Sequence, residues 1–256
     1  MREYRHRLVT AGQSSPLYLS DVPILWLRKL AESLGRPLSL LDVGCGLGDQ
    51  MRRIREQLSQ ALVRVGGVDW SPATVHFHAT SGIYDEMLPA DSAALPVADQ
   101  SWDVALSMEN LEHLYGDQSV SAIRELVRVG RFVIITTPVP RDVVNRAWLH
   151  GEIAEAEADP LPLSAREYTC LESAVHKSAL DPESMAAAGF TRVQTAPAHG
   201  HYFAPAQQVR AEQIRCLGID EVPAPEGDDH RARYVALLRA SLALGDRLAQ
   251  AWPGHT

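Results

Sequence analysis

Residues 40–49 read Leu-Leu-Asp-Val-Gly-Cys-Gly-Leu-Gly-Asp, and they decide the fold. The apolar run Leu38 to Val43 predicts a buried strand, which empties into Gly44, Gly46 and Gly48. A helical pattern follows, with Met51, Ile54, Leu58 and Ala61 at helix spacing. Glycines on alternate positions let the chain turn sharply and let a ligand approach the backbone, because no Cβ intervenes. Strand, glycine turn and helix in that order open a parallel α/β unit. Sheets of that kind bind ligands at the carboxyl ends of their strands. Taken alone, the turn is equally compatible with a bare strand-to-helix connection.

Outward from that stretch the alternation continues. A second strand is expected over Leu62 to Val68, then a helix started by the capping hydroxyl of Ser71 and the preset φ of Pro72. Chain order puts a third strand near Met87 to Ala90, and Trp102 to Met108 is a fourth. A helix over Ser119 to Val129 turns Val120, Ile123, Leu126 and Val127 inward, and Phe132 to Thr137 is a β-branched fifth strand. A helix from Asp181-Pro182 to Gly189 precedes a terminal antiparallel hairpin, Thr191 to Thr195 and a run near Tyr202. Before the first strand, Ser20 to Leu34 is a helix with Ile24, Leu27, Leu30 and Leu34 on one face, Pro23 in its first turn and Gly35 and Pro37 as its stop. One domain over residues 1–256 accounts for this. It comprises an N-terminal helical cap (1–37), a core (38–137), an insertion too long for a plain connection (138–180), the end of the core (181–205) and C-terminal helices (206–256). Those last helices are expected over 206–218 and 229–250, around the Pro-rich loop 222–227.

Composition removes several functions. A net charge of −8, with no basic stripe, argues against a phosphate backbone as the main partner, leaving room only for a local basic patch. Cys45, Cys170 and Cys216 are odd in number and lack metal-ligand spacing, so they read as reduced thiols. The opening MREYRHRLVT has no apolar segment behind its charges, and no run is long enough to span a membrane. The expectation is a cytoplasmic chain with neither nucleic-acid nor membrane partners.

Spacing then narrows the ligand. The dinucleotide fingerprint needs its third glycine at position 49, where this chain has Asp49; the glycines follow G-x-G-x-G. Asp42, two positions before them, faces a cation comfortably and a pyrophosphate poorly. GGVDWSP (66–72) puts Asp69 at the end of the second strand, where a carboxylate can accept hydrogen bonds from both ribose hydroxyls. The stretch ADSAALPVADQSWDVALSMENLEHL (90–114) adds an acidic residue, a Leu-Pro turn, an aromatic-Asp strand start and a closing Leu-Glu-His.

On these residues the chain resembles class I S-adenosylmethionine-dependent methyltransferases, in the small-molecule branch described as methyltransferase type 11. The likeness covers about residues 38–137, with a looser match through Phe190. It implies a Rossmann-like, seven-stranded, mostly parallel sheet with an antiparallel terminal hairpin and helices on both faces. It also implies S-adenosyl-L-methionine as cofactor, on a loop of Asp42, Gly44, Cys45, Gly46 and Gly48. Asp69 would take the ribose, and Trp70 is either the adenine wall or a core aromatic. Asp91, with Ser92 and Ala93, would meet the adenine amino group, unless Asp91 is a solvated turn residue. Glu109 would approach the methionine end or stand as a plain loop carboxylate. Asp103 reads as organising the start of its strand. The chain departs from the family before the fifth strand: RVGRFVII (128–135) keeps only Gly130 of the usual Lys-Pro-Gly-Gly turn.

A hydroxyl acceptor benefits from a general base, most often His. His113 closes the Leu-Glu-His motif at the ligand edge; as a neutral imidazole it could take a proton, and as a structural residue it would cap a turn. His176, in AVHKSALDPESM (174–185), is a second base or substrate contact, or a surface residue. His76 and His78 diverge on a helix, while His199 and His201 share a strand face without identifiable further ligands, so no metal site is expected. The acidic GEIAEAEADPLP (151–162) is a pocket wall or a solvated helix face. The segment Tyr4 to Tyr18 could close over bound ligand, with Tyr18 and Trp26 lining that pocket or simply packing. The closing helices would form a homodimer interface or cover the domain. The expected activity is methyl transfer by in-line displacement to a small-molecule acceptor, foremost a hydroxyl oxygen of a specialised metabolite. Carbon or nitrogen methylation, a nicotinamide-dependent oxidoreductase and a non-catalytic cofactor binder are the alternatives.

Overall fold

The computed structural model describes residues 17–139, 145–159, 161–195, 199–214 and 219–251. Its strands are β1 (Leu38–Val43), β2 (Leu62–Asp69), β3 (Glu86–Pro89), β4 (Trp102–Met108), β5 (Gly130–Pro138), β6 (Ser178–Leu180), β7 (Thr191–Thr195), β8 (His199–Pro205) and β9 (Ile219–Glu221). The main sheet runs β3-β2-β1-β4-β5-β8-β7, and β6 pairs with β9 in a small separate sheet. Strands β1 to β5 are parallel; β8 lies antiparallel to both β5 and β7. This is the mixed α/β, Rossmann-like arrangement the sequence implies. The strand order reverses between β1 and β4, and such a switch point opens a crevice at the strands' carboxyl ends. The glycine loop leaves β1 there, and the Leu-Glu-His segment leaves β4 beside it.

β4 is buried at every position because helices cover both faces of the sheet. On one face Leu41, Trp102, Ile123, Leu126 and Ile135 pack under the helix Gly116–Val129. On the other, Leu40, Val104 and Ile134 meet Leu27, Met51 and Ile54. The helix Asp21–Leu34 buries Ile24 and Leu27, but Leu34, expected on the same face, is 41% exposed. Nothing among the described residues covers that side chain, and Gly35 at φ 64° ends the helix. The helix expected from Ser119 begins at Gly116, whose amide donates to the Glu221 carboxylate at 2.6 Å. A partner so distant in sequence supplies the cap.

Two further expectations change. Residues 138–180 contain the helices Arg146–Ala158 and Ala165–Ser173 as well as β6. With the helix His230–Ala251 these two helices build a hydrophobic cluster of their own, including Leu149, Tyr168, Leu171, Tyr234, Leu237 and Leu238. The insertion therefore has a core, and the closing helix covers it. Second, the helix expected over 206–218 is broken at Val209 and Arg210. The described residues there form a short turn (Ala206–Gln208) and a four-residue helix (Ala211–Ile214). Pairing with β6 draws the chain that follows into β9, and the Arg210 amide is tied to the Ala188 carbonyl at 3.0 Å. Tertiary hydrogen bonds override the local helical pattern here. Tyr4 and Cys216 lie outside the described residues.

Arg36 donates to both oxygens of Asp103, which also accepts from the amide and hydroxyl of Ser39. The Arg36 hydrogen bonds, reinforced by Ser39 against desolvation, hold the Asp103 carboxyl below the usual range. Asp103 thus organises its strand, as read from sequence. Among the described residues no helix is long and apolar enough to cross a membrane.

Candidate functional site

The glycine loop is held by its own neighbours. The amides of Gly44 and Cys45 both donate to the Val68 carbonyl, at 2.9 and 3.0 Å. Asp69 accepts from the Gly46 amide through Oδ2 (3.0 Å) and from the Ser71 amide through Oδ1 (2.8 Å). His78 donates through Nε2 to the Gly46 carbonyl at 2.8 Å, and its Nδ1 lies 3.0 Å from the Ser81 hydroxyl. The Tyr84 hydroxyl donates to Asp42 Oδ2 at 2.7 Å. Burial pushes the Asp42 carboxyl up to about 7; the Tyr84 hydrogen bond opposes that rise and the nearby Asp69 charge adds to it. Desolvation also raises Asp69, against its two amide bonds, and burial keeps the Cys45 thiol protonated.

The three glycines have different reasons to be glycine. A Cβ on Gly44 would stand 2.2 Å from the Asn110 side chain, and one on Gly48 would meet His78 and Tyr84. A Cβ on Gly46, where φ is +50°, would meet nothing within 4 Å among the described residues. Two glycines accommodate the protein's own side chains, and Gly46 presents an open face.

Beyond β2, Trp70 is 54% exposed, so it is not a core aromatic. Asp91 is exposed and accepts from the Ala93 amide at 2.9 Å, while Ser92 is buried and accepts from Asn110 Nδ2 at 3.3 Å. Asn110 also donates to the Ser107 hydroxyl, which braces the Ser92–Ala93 loop against the end of β4.

After β4 the chain is strained and polar. Glu109 holds a positive φ of 52°, an uncommon conformation for a residue with a side chain. Its amide donates to the Thr136 carbonyl at 2.8 Å, and Oε2 accepts from His199 Nε2 at 3.1 Å. The next turn, Leu111–His113, buries Glu112, whose carboxyl is pushed well up by desolvation and by the neighbouring Glu109 charge. His113 and His176 meet edge to face with ring centroids 4.7 Å apart. Burial, then the His176 and Lys177 charges, drive the His113 imidazole well below its ordinary value, so it is neutral. Lys177 donates to the His113 carbonyl at 2.7 Å, and burial brings its own value down to about 8. Glu109 Oε1, Glu112 Oε1 and His113 Nδ1 are buried atoms without a hydrogen-bond partner among the described residues.

The sequence-derived candidates therefore fall into two groups along one rim. Asp42, Gly44, Cys45, Gly46, Gly48, Asp69 and Trp70 surround the ends of β1 and β2, with Asp91, Ser92 and Ala93 just beyond. Glu109, His113 and His176 gather at β4, and His176 is half-buried against His113 rather than on the surface. His76 is exposed while His78 is buried, so that pair diverges as expected. His199 and His201 do share a face, but His201 is buried against the Leu19 carbonyl at 2.8 Å and stacks edge-on to Trp26. Trp26 packs, and half-exposed Tyr18 stands beside His199. In the acidic stretch, Glu152 and Ala156 are buried in the second core, with the Tyr234 hydroxyl 3.4 Å from Glu152. Sequence reasoning missed Tyr84, Asn110 and Lys177, and saw His78 only as the neighbour of His76. Asn110 lies in 90–114 and Lys177 in 174–185, both stretches singled out by their motifs; nothing local marked Tyr84.

Residues 41–132 match a family model described as a methyltransferase domain. Ajmaline N-methyltransferase of Rauvolfia serpentina is 30% identical over 117 residues, which is 42% of this chain and 38% of that protein. Ubiquinone biosynthesis O-methyltransferase of Cereibacter sphaeroides is 33% identical over 109 residues, 39% of this chain and 41% of the relative. The matches thus span about two fifths of these relatives' length. Among solved structures, magnesium protoporphyrin IX methyltransferase from Synechocystis, with bound SAH, aligns at a TM-score of 0.44 and 16% identity, over 78% of this chain and 91% of that one.

Proposed function

We propose that this chain, whose residues 41–132 form a domain of the methyltransferase family, binds S-adenosyl-L-methionine and methylates a small-molecule acceptor. The observation that carries this reading is the glycine loop: two buried carboxylates border it while the face of Gly46 stays open. A cationic nucleoside fits that chemistry, and a pyrophosphate does not. Asp42 and the loop 44–48 would hold the amino-acid end. Each oxygen of Asp69 has a lone pair left after its amide bond, enough for the ribose hydroxyls. Trp70 would cover the adenine, and Asp91 with the Ser92–Ala93 backbone would take its amino group. The bound sulfonium supplies an activated methyl group for in-line displacement.

The chain's own residues then have to align the acceptor and accept a proton. We assign the acceptor as a hydroxyl oxygen of a specialised metabolite, because a hydroxyl needs a base and His113 supplies a buried, neutral imidazole. His176 serves as a second base or contacts the substrate, and Glu109 lies on the methionine side. A relative that methylates nitrogen keeps that acceptor as the second reading. Calorimetry with S-adenosylhomocysteine and with NADH tests the cofactor: saturable heat with the first alone supports the reading. Heat with NADH alone would replace it with a nicotinamide-dependent oxidoreductase.

A further inference from the structure

We propose that Glu112, His113 and His176 form a binding site for a first-row divalent transition-metal ion. Their candidate ligand atoms, one carboxylate oxygen and two imidazole nitrogens, all lie within 4.8 Å of one another. Local spacing does not join the three, because His176 comes from a remote segment. Three hydrogen bonds bring it in: the Lys177 amide to the Glu112 carbonyl (2.7 Å), the Ser178 hydroxyl to the Leu111 carbonyl (3.1 Å) and Lys177 Nζ to the His113 carbonyl (2.7 Å).

Two of the three residues offer an unused atom among the described residues. Glu112 Oε1 and His113 Nδ1 are buried without a hydrogen-bond partner among the described residues. Buried polar atoms of that kind are uncommon, because leaving them dry costs free energy that a ligand recovers. Glu112 is also held from behind: the Thr137 hydroxyl donates to its Oε2 at 3.3 Å.

Two imidazoles with one carboxylate suit zinc, cobalt, nickel or manganese better than magnesium or calcium, which prefer all-oxygen sites. Bonds of about 2.0–2.1 Å set ligand atoms about 3.4 Å apart, so these side chains need to close by roughly an ångström. Glu109 adds negative charge beside Glu112. Lys177 opposes a cation, but its ammonium is turned to the His113 carbonyl. With the ion bound, His113 would be a ligand and no longer the proton acceptor, and three protein ligands would leave a further position where the ion acidifies water or an oxygen of the acceptor. That last assignment rests on the methyl-transfer reading; ion binding does not.

The test is titration of the full chain, stripped with a chelator, with Co²⁺ followed by visible absorption and by calorimetry. The expected result is one saturable ion per chain with a d–d band that Zn²⁺ displaces. His176→Gln and Glu112→Gln should each weaken Co²⁺ binding at least tenfold, with circular dichroism melts to show that they are folded; exposed His76→Ala should bind like the original chain. If Glu112→Gln fails to fold, half-buried His176→Gln carries the test. No saturable uptake, or folded variants that bind unchanged, would overturn the site. Failure to bind S-adenosylhomocysteine with the cobalt signal intact would instead remove the methyl-transfer reading alone.

Discussion

At the ends of β1 and β2 the polar groups are occupied by the protein itself. Both Asp69 oxygens hold amides, His78 holds the Gly46 carbonyl, and Tyr84 holds Asp42. At the ends of β4 and β5 the opposite is true: Glu109, Glu112 and His113 each keep a buried atom without a partner among the described residues. The first region is set in shape before anything binds, so a ligand adds to a finished cradle. The second is finished only by what enters it. Cofactor affinity should therefore respond to changes on the first side, and turnover to changes on the second.

The sharpest division comes from His113→Ala. Turnover should fall by about 10²–10⁴, the usual contribution of a general base, while affinity for S-adenosylhomocysteine stays within about twofold. Normal turnover would remove the histidine from the chemistry.

On the other side, Gly46→Val should lower affinity for the same ligand by about 100-fold, because a branched side chain enters the open face and a positive φ costs about 1–2 kcal/mol. Gly44→Ala is its counterpart. There the new methyl strikes Asn110, so a falling melting temperature should come before any effect on binding. Retained affinity in Gly46→Val would break the loop assignment.

Asp69→Ala should weaken cofactor binding by roughly 1.5–3 kcal/mol, the range for hydrogen bonds to a charged group. Part of that loss is the slackened loop, since Gly46 and Ser71 lose their acceptor. Unchanged calorimetry would take Asp69 out of the site.

The smallest expected effect is in pH. Asp42 is raised to about 7, so its neutral form dominates below that value and the ionised form above it. A cationic ligand favours the ionised form, so affinity should rise about tenfold from pH 6 to pH 8 with a proton released, since each pKa unit is a factor of ten. For the free chain the sign is reversed. A carboxyl whose pKa is higher folded than unfolded stabilises most below about 4 and loses that contribution as pH rises through 7. Asp42→Asn should flatten both curves; a pH slope that survives it would belong to another group.

The alternation of strands and helices, the G-x-G-x-G turn and the acidic strand ends were legible because each is written in neighbouring residues. Periods of two and 3.6 and the φ freedom of glycine need no knowledge of the rest of the chain. Those signals placed Asp42, Asp69, Asp91 and Glu109 along one rim. The same local reasoning misjudged residues 206–214, where the tie of the Arg210 amide to the Ala188 carbonyl outweighs helical spacing. It saw Leu34 on the face of Leu27 without seeing which turns of that helix find a partner.

Chain order alone could not say what fills the space beside each motif. Gly44 is glycine because Asn110 packs against it; Trp70 is at the surface because none of the described elements covers it; His176 faces His113 because Lys177 and Ser178 fasten β6 to the turn after β4. Each depends on contact between segments far apart in the chain, and only folding creates that proximity. The strand pattern thus determined where a ligand site would open, and the packing of distant segments decided which groups inside it are already satisfied and which still have a lone pair to offer.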